Sequence, residues 1–224
     1  MSVNIDKLII TTPVPKSSTD PVALELTGAQ ALERLPKVIA TLADGSVRFT
    51  APTKGAASKS THRTRCEWKE PLYWSLASAA LHRNHQVMTL TKVNLAQKVV
   101  VAQMHVKDDD SPVLKVFWNK GKITYGFRKS FNQPAPASVT LLSNVPLNAV
   151  FTVTLEVNDA RQLTLTAKCN GASASTGVLQ MDSSWNGHTF NFHGGVYNQV
   201  DFNDDTPSSD ASVCVLSTLQ LRHV

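Results

Sequence analysis

Three short stretches of this 224-residue chain combine side chains that titrate, donate hydrogen bonds and hold anions. Successive side chains of a β-strand point to opposite faces. On that pattern, 63–70 places Arg63, Arg65, Glu67 and Lys69 on one face and Thr64, Cys66 and Trp68 on the other. In 101–106, Gln103 and His105 share a face, opposite Ala102, Met104 and Val106. In 190–199, His193, Gly195, Tyr197 and Gln199 lie together, opposite Phe190, Phe192 and Val196. A solvated outer face explains polar alternation in any one strand, but such faces are ordinarily Thr, Ser, Lys and Glu. Side by side, these strands would form a basic groove floor. Its Arg fork suits a carboxylate, and its His and Tyr side chains can move protons. Gly194 and Gly195 would let a ligand approach the backbone.

The elements that must position these residues are mostly strands. Helical periodicity is confined to 27–35, with Thr27 as the cap and Ala29, Ala31, Leu32 and Leu35 on one side. Elsewhere the chain reads as short runs rich in Val, Thr, Leu and Phe: 86–93, 98–106, 113–118, 122–127, 150–157, 162–167, 189–199 and 212–222. Asn119-Lys120-Gly121 marks a hairpin, and Asn158-Asp159 and Asn170-Gly171 mark further stops. Many strands with almost no helix, no internal repeat and no linker predict one all-β domain over 1–224, a sandwich or jelly roll.

Composition bounds the partners. Hydrophobic residues at 42%, charged residues at 17% and a mean hydropathy of −0.12 exclude a disordered chain. No apolar run approaches the roughly 20 residues of a membrane helix. Residues 1–16 carry no charged head followed by an apolar stretch. The chain therefore reads as intracellular, or as the mature form of a secreted protein. A net charge of +5 and a pI near 9.2 favour a polyanion without choosing between nucleic acid, acidic polysaccharide and an anionic surface. Cys66, Cys169 and Cys214 fit no zinc pattern; a Cys169–Cys214 disulfide and three buried thiols are equal readings. Glycoside hydrolysis needs two carboxylates roughly 5–9.5 Å apart. The polar faces of the groove strands offer only Glu67, and Asp108-Asp109-Asp110 falls where a turn is expected. Aromatics interleaved with basic residues, which a nucleic-acid groove would need, are missing from those strands.

Arg65-Cys66-Glu67-Trp68-Lys69-Glu70 resembles the Arg-Ser/Thr-Glu-Leu-Arg-Glu motif of polysaccharide lyase family 7, the alginate lyases. Gln103-Met104-His105 resembles the family's Gln-Ile-His, and Asn191 to Gln199 resembles Tyr-Phe-Lys-Ala-Gly-Val-Tyr-x-Gln. The resemblance extends from an opening strand at 6–13 and a second at 44–49 to the closing strand ending at 219–223. Departures are His193 for Lys, Asn191 for Tyr, Lys69 for Arg and Cys66 for Ser or Thr.

The resemblance implies a concanavalin-like jelly-roll β-sandwich with a concave groove that cleaves alginate or a related polyuronate by β-elimination. Arg65 and Gln103 would neutralise the sugar carboxylate, while His105 and Tyr197 would transfer protons. Arg63, Glu67, Lys69, Lys115, His193 and Gln199 are the expected substrate-binding residues, with Glu67 orienting Arg65 or Lys69. It implies an anionic polysaccharide as partner, no nucleic acid or membrane, no cofactor or metal, and a monomer. The family is usually secreted or periplasmic, which leaves the compartment open. The alternative from another class is a non-catalytic, lectin-like jelly roll for acidic polysaccharides, which His193 and Asn191 keep open. Trp68, Trp74, Trp118 and Trp185 are assigned to the core, with Trp118 the one expected to be exposed. His62, His82, His85, His188 and His223 are read as surface or packing residues.

Overall fold

Apolar residues alternate with polar ones along most of this chain, so each extended segment carries one apolar face that only a second sheet can cover. The computed structural model describes residues 2–59 and 61–224. In chain order its strands are β1 (Ile9–Pro15), β2 (Ala23–Thr27), β3 (Ile39–Thr41), β4 (Val47–Pro52), β5 (Arg65–Lys69), β6 (Trp74–Ser75), β7 (Leu81–Lys92) and β8 (Lys98–Val106). They continue with β9 (Leu114–Asn119), β10 (Lys122–Phe127), β11 (Val139–Leu142), β12 (Val150–Asn158), β13 (Gln162–Cys169), β14 (Ala172–Ser175), β15 (Leu179–Gln180), β16 (Thr189–Asn198) and β17 (Ala211–His223). A front sheet runs β11-β10-β9-β8-β16-β5-β1-β2, with β6 on β16. A back sheet runs β14-β13-β12-β7-β17-β4-β3, with β15 on β13. The architecture is an all-β jelly-roll sandwich. No helix among the described residues is long and apolar enough to cross a membrane.

The core lies between the sheets. Ile10, Cys66, Trp68, Met104, Phe190 and Phe192 of the front sheet pack in one cluster with Phe49, Met88, Phe151, Leu155, Cys214 and Leu216 of the back sheet, all at 1% exposure or less. Burying such apolar side chains contributes about 1.5–3 kcal/mol each. The three cysteines are free and buried. A Cys169–Cys214 disulfide does not form because β13 and β17 are separated by β12 and β7. Three strand spacings, roughly 14 Å, exceed the reach of a disulfide. Trp118, expected at the surface, is only 3% exposed and donates its Nε1–H to Val145 O at 2.8 Å.

Local signals behave as their chemistry requires. The short helix α1 (Gly28–Arg34) starts with a capping box: Thr27 Oγ1 accepts from Gln30 N, and Gln30 Oε1 accepts from Thr27 N. The hairpin loops Lys120-Gly121 and Asn170-Gly171 have positive φ at both residues, as two-residue turns between twisted strands need. At one end of the sandwich, Glu70 joins the sheets by accepting from Trp74 Nε1, Phe192 N and His223 Nε2. His223 Nδ1 in turn lies 2.7 Å from Nδ1 of the fully buried His82.

Two irregularities set what the front sheet shows to solvent. In β8 an extra residue lies between Val100 and Ala102 relative to β9, so Val101 and Ala102 both enter the core. The strand's phase then flips, and Val100 joins Phe117 and Tyr197 in a separate cluster outside the main core. In β16 the register slips between Gly194 and Tyr197, where Gly195 adopts a φ of +114°. A Cβ on Gly195 would lie 2.7 Å from Cys66 O; one on Gly194 would meet Gln86 and Trp68 of the core. Both glycines are thus required by packing, not by the approach of a ligand. Gly195→Ala should lower stability by about 1–3 kcal/mol, measured by urea unfolding; a change within error of zero would contradict this reading of the bulge.

Candidate active site

β5 lies between β1 and β16, and its register lines up the outer face of the front sheet. Arg65 opposes Tyr197, Glu67 opposes Gly195 and Lys69 opposes His193. Beyond β16, Gln103 opposes His193, His105 opposes Asn191, and Lys115 opposes Gln103. Gly195 contributes no side chain, and this gap lets Glu67 cross over β16 to reach Gln103 on β8.

Glu67 is the hub, 2% exposed. Its Oε1 accepts from Gln103 Nε2 at 2.5 Å, and its Oε2 lies 3.3 Å from Arg65 Nη1 and 3.7 Å from His193 Nδ1. Burial alone would push the carboxyl up, but His193, Arg65 and Gln103 together hold it down to about 2. Asn191 donates its Nδ2 to Glu70 O, so its Oδ1 must accept from His193 Nε2–H at 2.9 Å. His193 therefore presents Nδ1 to Glu67, and protonation at that atom places a second cation on the carboxylate.

His105 stacks on His193 with ring centroids 4.9 Å apart and planes 2° from parallel. Its Nδ1 lies 2.9 Å from Val106 O. A carbonyl only accepts, so Nδ1 carries the hydrogen and Nε2 keeps a lone pair. Burial, reinforced by the charge of His193, pushes the His105 pKa down to about 3. The ring is therefore a neutral base at ordinary pH. Tyr197 lies under the Arg65 guanidinium, 3.7 Å from carbon to ring centroid, and packs on Val100 and Phe117. The next residue, Asn198, is fully buried and pins the end of β16. Its Oδ1 accepts from Asn94 Nδ2 and Ser212 Oγ, and its Nδ2 donates to Ala51 O and Thr64 Oγ1.

The other expected residues occupy the two ends of this trough. Arg63, Lys115 and Gln199 line a cleft of about 200 Å³ with Lys98, Phe117 and Arg128. Arg63 is bound to Asp201 at 3.1 Å, and Gln199 donates to Asn198 O. Burial and the neighbouring Arg65 lower the pKa of Lys115. Lys69 lies at the opposite end, held by Glu25 at 2.7 Å. Gln103 and Tyr197 are enclosed at 2% and 5% exposure, and so are Glu67 and His193, expected among the substrate contacts, at 2% and 7%, engaged with each other and their neighbours. Two expectations change: the observed contacts of Glu67 and His193 orient Arg65, Gln103 and His105, and Lys69 answers to Glu25 instead of Glu67. Asn198 and the strand-phase change at Val101 were missed. Asn is common in turns, and a bulge leaves no mark in residue type. No group of three His, Cys, Asp or Glu among the described residues is arranged to hold a metal ion.

The fold is a jelly roll, and Arg65, Gln103, His105 and Tyr197 share the outer face of its front sheet. The family model described as alginate lyase matches residues 3–223, and the chain belongs to that family, polysaccharide lyase family 7. It is thus a polysaccharide lyase. An alginate lyase from Pseudomonas aeruginosa superposes with a TM-score of 0.83 at 19% identity, covering 99% of this chain and 100% of that one. The alginate lyase from Klebsiella pneumoniae gives 0.81 at 18%, covering 98% and 96%. A family 7 alginate lyase in complex with product gives 0.80 at 18%, covering 100% and 97%. At these identities the solved structures establish the fold. No curated protein sequence matches the chain.

Nitrogen-15 NMR should find His105 as the Nδ1–H tautomer with no titration from pH 5 to 8. A midpoint near the ordinary 6.5 would show that the ring is not desolvated as described.

Proposed function

We propose that the trough cleaves a polyuronate by β-elimination, with the sugar acid lying across Arg65, Gln103, His105 and Tyr197. The observation that carries this is Glu67 aligning a cationic fork and an amide beside a neutral imidazole and a phenol on one face. The barrier is electrostatic: removing the C5 proton builds charge beside a carboxylate that is already negative. Donors fixed in advance stabilise that charge because they need no reorganisation during the reaction. Arg65 supplies a permanent positive charge, and Gln103, with one amide hydrogen given to Glu67, has a second for the sugar carboxylate.

The electron pair released at C5 forms the C4–C5 double bond as the C4–O4 bond breaks, and O4 takes a proton. Where H5 and O4 leave from the same side, as in mannuronate or glucuronate, Tyr197 as phenolate takes the C5 proton and, as the phenol so formed, gives it to O4. Where they leave from opposite sides, as in guluronate, His105 Nε2 takes the C5 proton and Tyr197 protonates O4. Lys115, Arg63 and Gln199 meet neighbouring sugar units in the adjoining cleft.

The unsaturated product absorbs in the ultraviolet, so alginate and related polyuronates should give rising absorbance with this protein. Tyr197→Phe should lower turnover by about 10²–10⁴-fold while polymer binding, followed by calorimetry, stays near that of the parent. Full activity in that variant would remove Tyr197 from the mechanism.

A further inference from the structure

Cations are distributed unevenly along the trough. On the β8–β10 side, Lys98 and Lys115 have no ion-pair partner among the described residues, and Lys98 sits 4.8 Å from the Phe117 ring centre. In the pocket on the β1–β2 side, the lining lysine, Lys69, is spent. Glu25 faces the trough because Thr11 pairs with both Glu25 and Glu67, which puts all three in one cross-strand row. Glu25 Oε1 lies 2.7 Å from Lys69 Nζ and accepts from Thr11 Oγ1 at 2.9 Å. The carboxylate is nevertheless 44% exposed, so an incoming chain meets it. Tyr73 lines the same end with Glu25 and Lys69, and burial, then the charges of Asp108 and Glu25, raise its pKa.

We propose that Glu25 is a specificity-determining residue: it cancels Lys69 and ends the cationic track, so the polymer's carboxylates are held mainly on the Lys115 side. This rests on the polyuronate lyase reading. A uronate next to Lys69 finds a neutral pair instead of a cation, so the trough holds few acidic units beyond Lys69.

The test compares wild type, Glu25→Gln, Lys69→Met, Lys115→Met and the Glu25→Gln/Lys69→Met double variant on polyuronate. The readouts are ultraviolet rates at low and high salt, product lengths by mass spectrometry, and polymer affinity by calorimetry. Glu25→Gln should lower the low-salt KM by about two- to fivefold, lengthen the oligomers held at that end, and lose its advantage at high salt. Adding Lys69→Met should erase the gain, and Lys69→Met alone should raise KM less than Lys115→Met. An unchanged KM and product pattern in Glu25→Gln would overturn the proposal, as would equal costs for removing Lys69 and Lys115. A wild type that binds polymer without forming unsaturated product refutes the lyase reading instead, and the affinity comparison then decides the role of Glu25 on its own.

Discussion

A carboxylate taken out of water loses several kcal/mol of hydration unless charges and hydrogen bonds replace it. Glu67 is such a carboxylate, and its replacements are the site. Arg65, Gln103 and His193 converge on its two oxygens, and each is thereby held at a fixed position on the trough floor. Asn191 fixes the ring of His193, and His105 stacks on that ring. The guanidinium that answers Glu67 also covers Tyr197. One buried negative charge therefore sets the geometry of donors that must meet a second negative charge, the substrate's, without reorganising.

The backbone makes room for this arrangement. Glu67 reaches Gln103 across an intervening strand because Gly195 has no side chain, and the same glycine takes the φ of +114° that slips the register toward Tyr197. The extra residue in β8 turns Val100 outward, giving the Tyr197 ring an apolar seat with Phe117 apart from the main core. Asn198 then locks the strand end to both sheets through Thr64, Ala51 and Ser212. A site needing side chains from three strands within a few ångströms depends on such irregularities, since regular pleating would aim some of them inward.

Much of this was legible in residue order, and the failures have definite causes. Strands 98–106 and 122–127 and the Thr27 cap were readable because period, turn chemistry and capping all pointed the same way. Short edge segments such as β3, β14 and β15 escaped, having too few residues to show a period. The shared face of Arg65, Glu67 and Lys69 followed from alternation, but the partners of those residues did not. Whether Lys69 meets Glu67 or Glu25 depends on which strand lies beside β5, and alternation carries no information about neighbours. His193 looked like a groove cation by residue type, and only the packing of Asn191 and Glu67 around it shows that it is enclosed.

The most direct test of this account is the unfolding free energy of Glu67→Gln relative to the parent as a function of pH. Glu67 titrates near 2 when folded, against an ordinary value of 4.5. Its ionised form therefore stabilises the fold fully above about pH 4.5, and that contribution is lost as pH falls toward 2. The parent should exceed the variant by about 3 kcal/mol near neutrality, with the gap closing across that acidic window. A gap that stays constant with pH, or is absent at neutrality, would show that the Glu67 carboxylate does not organise the site.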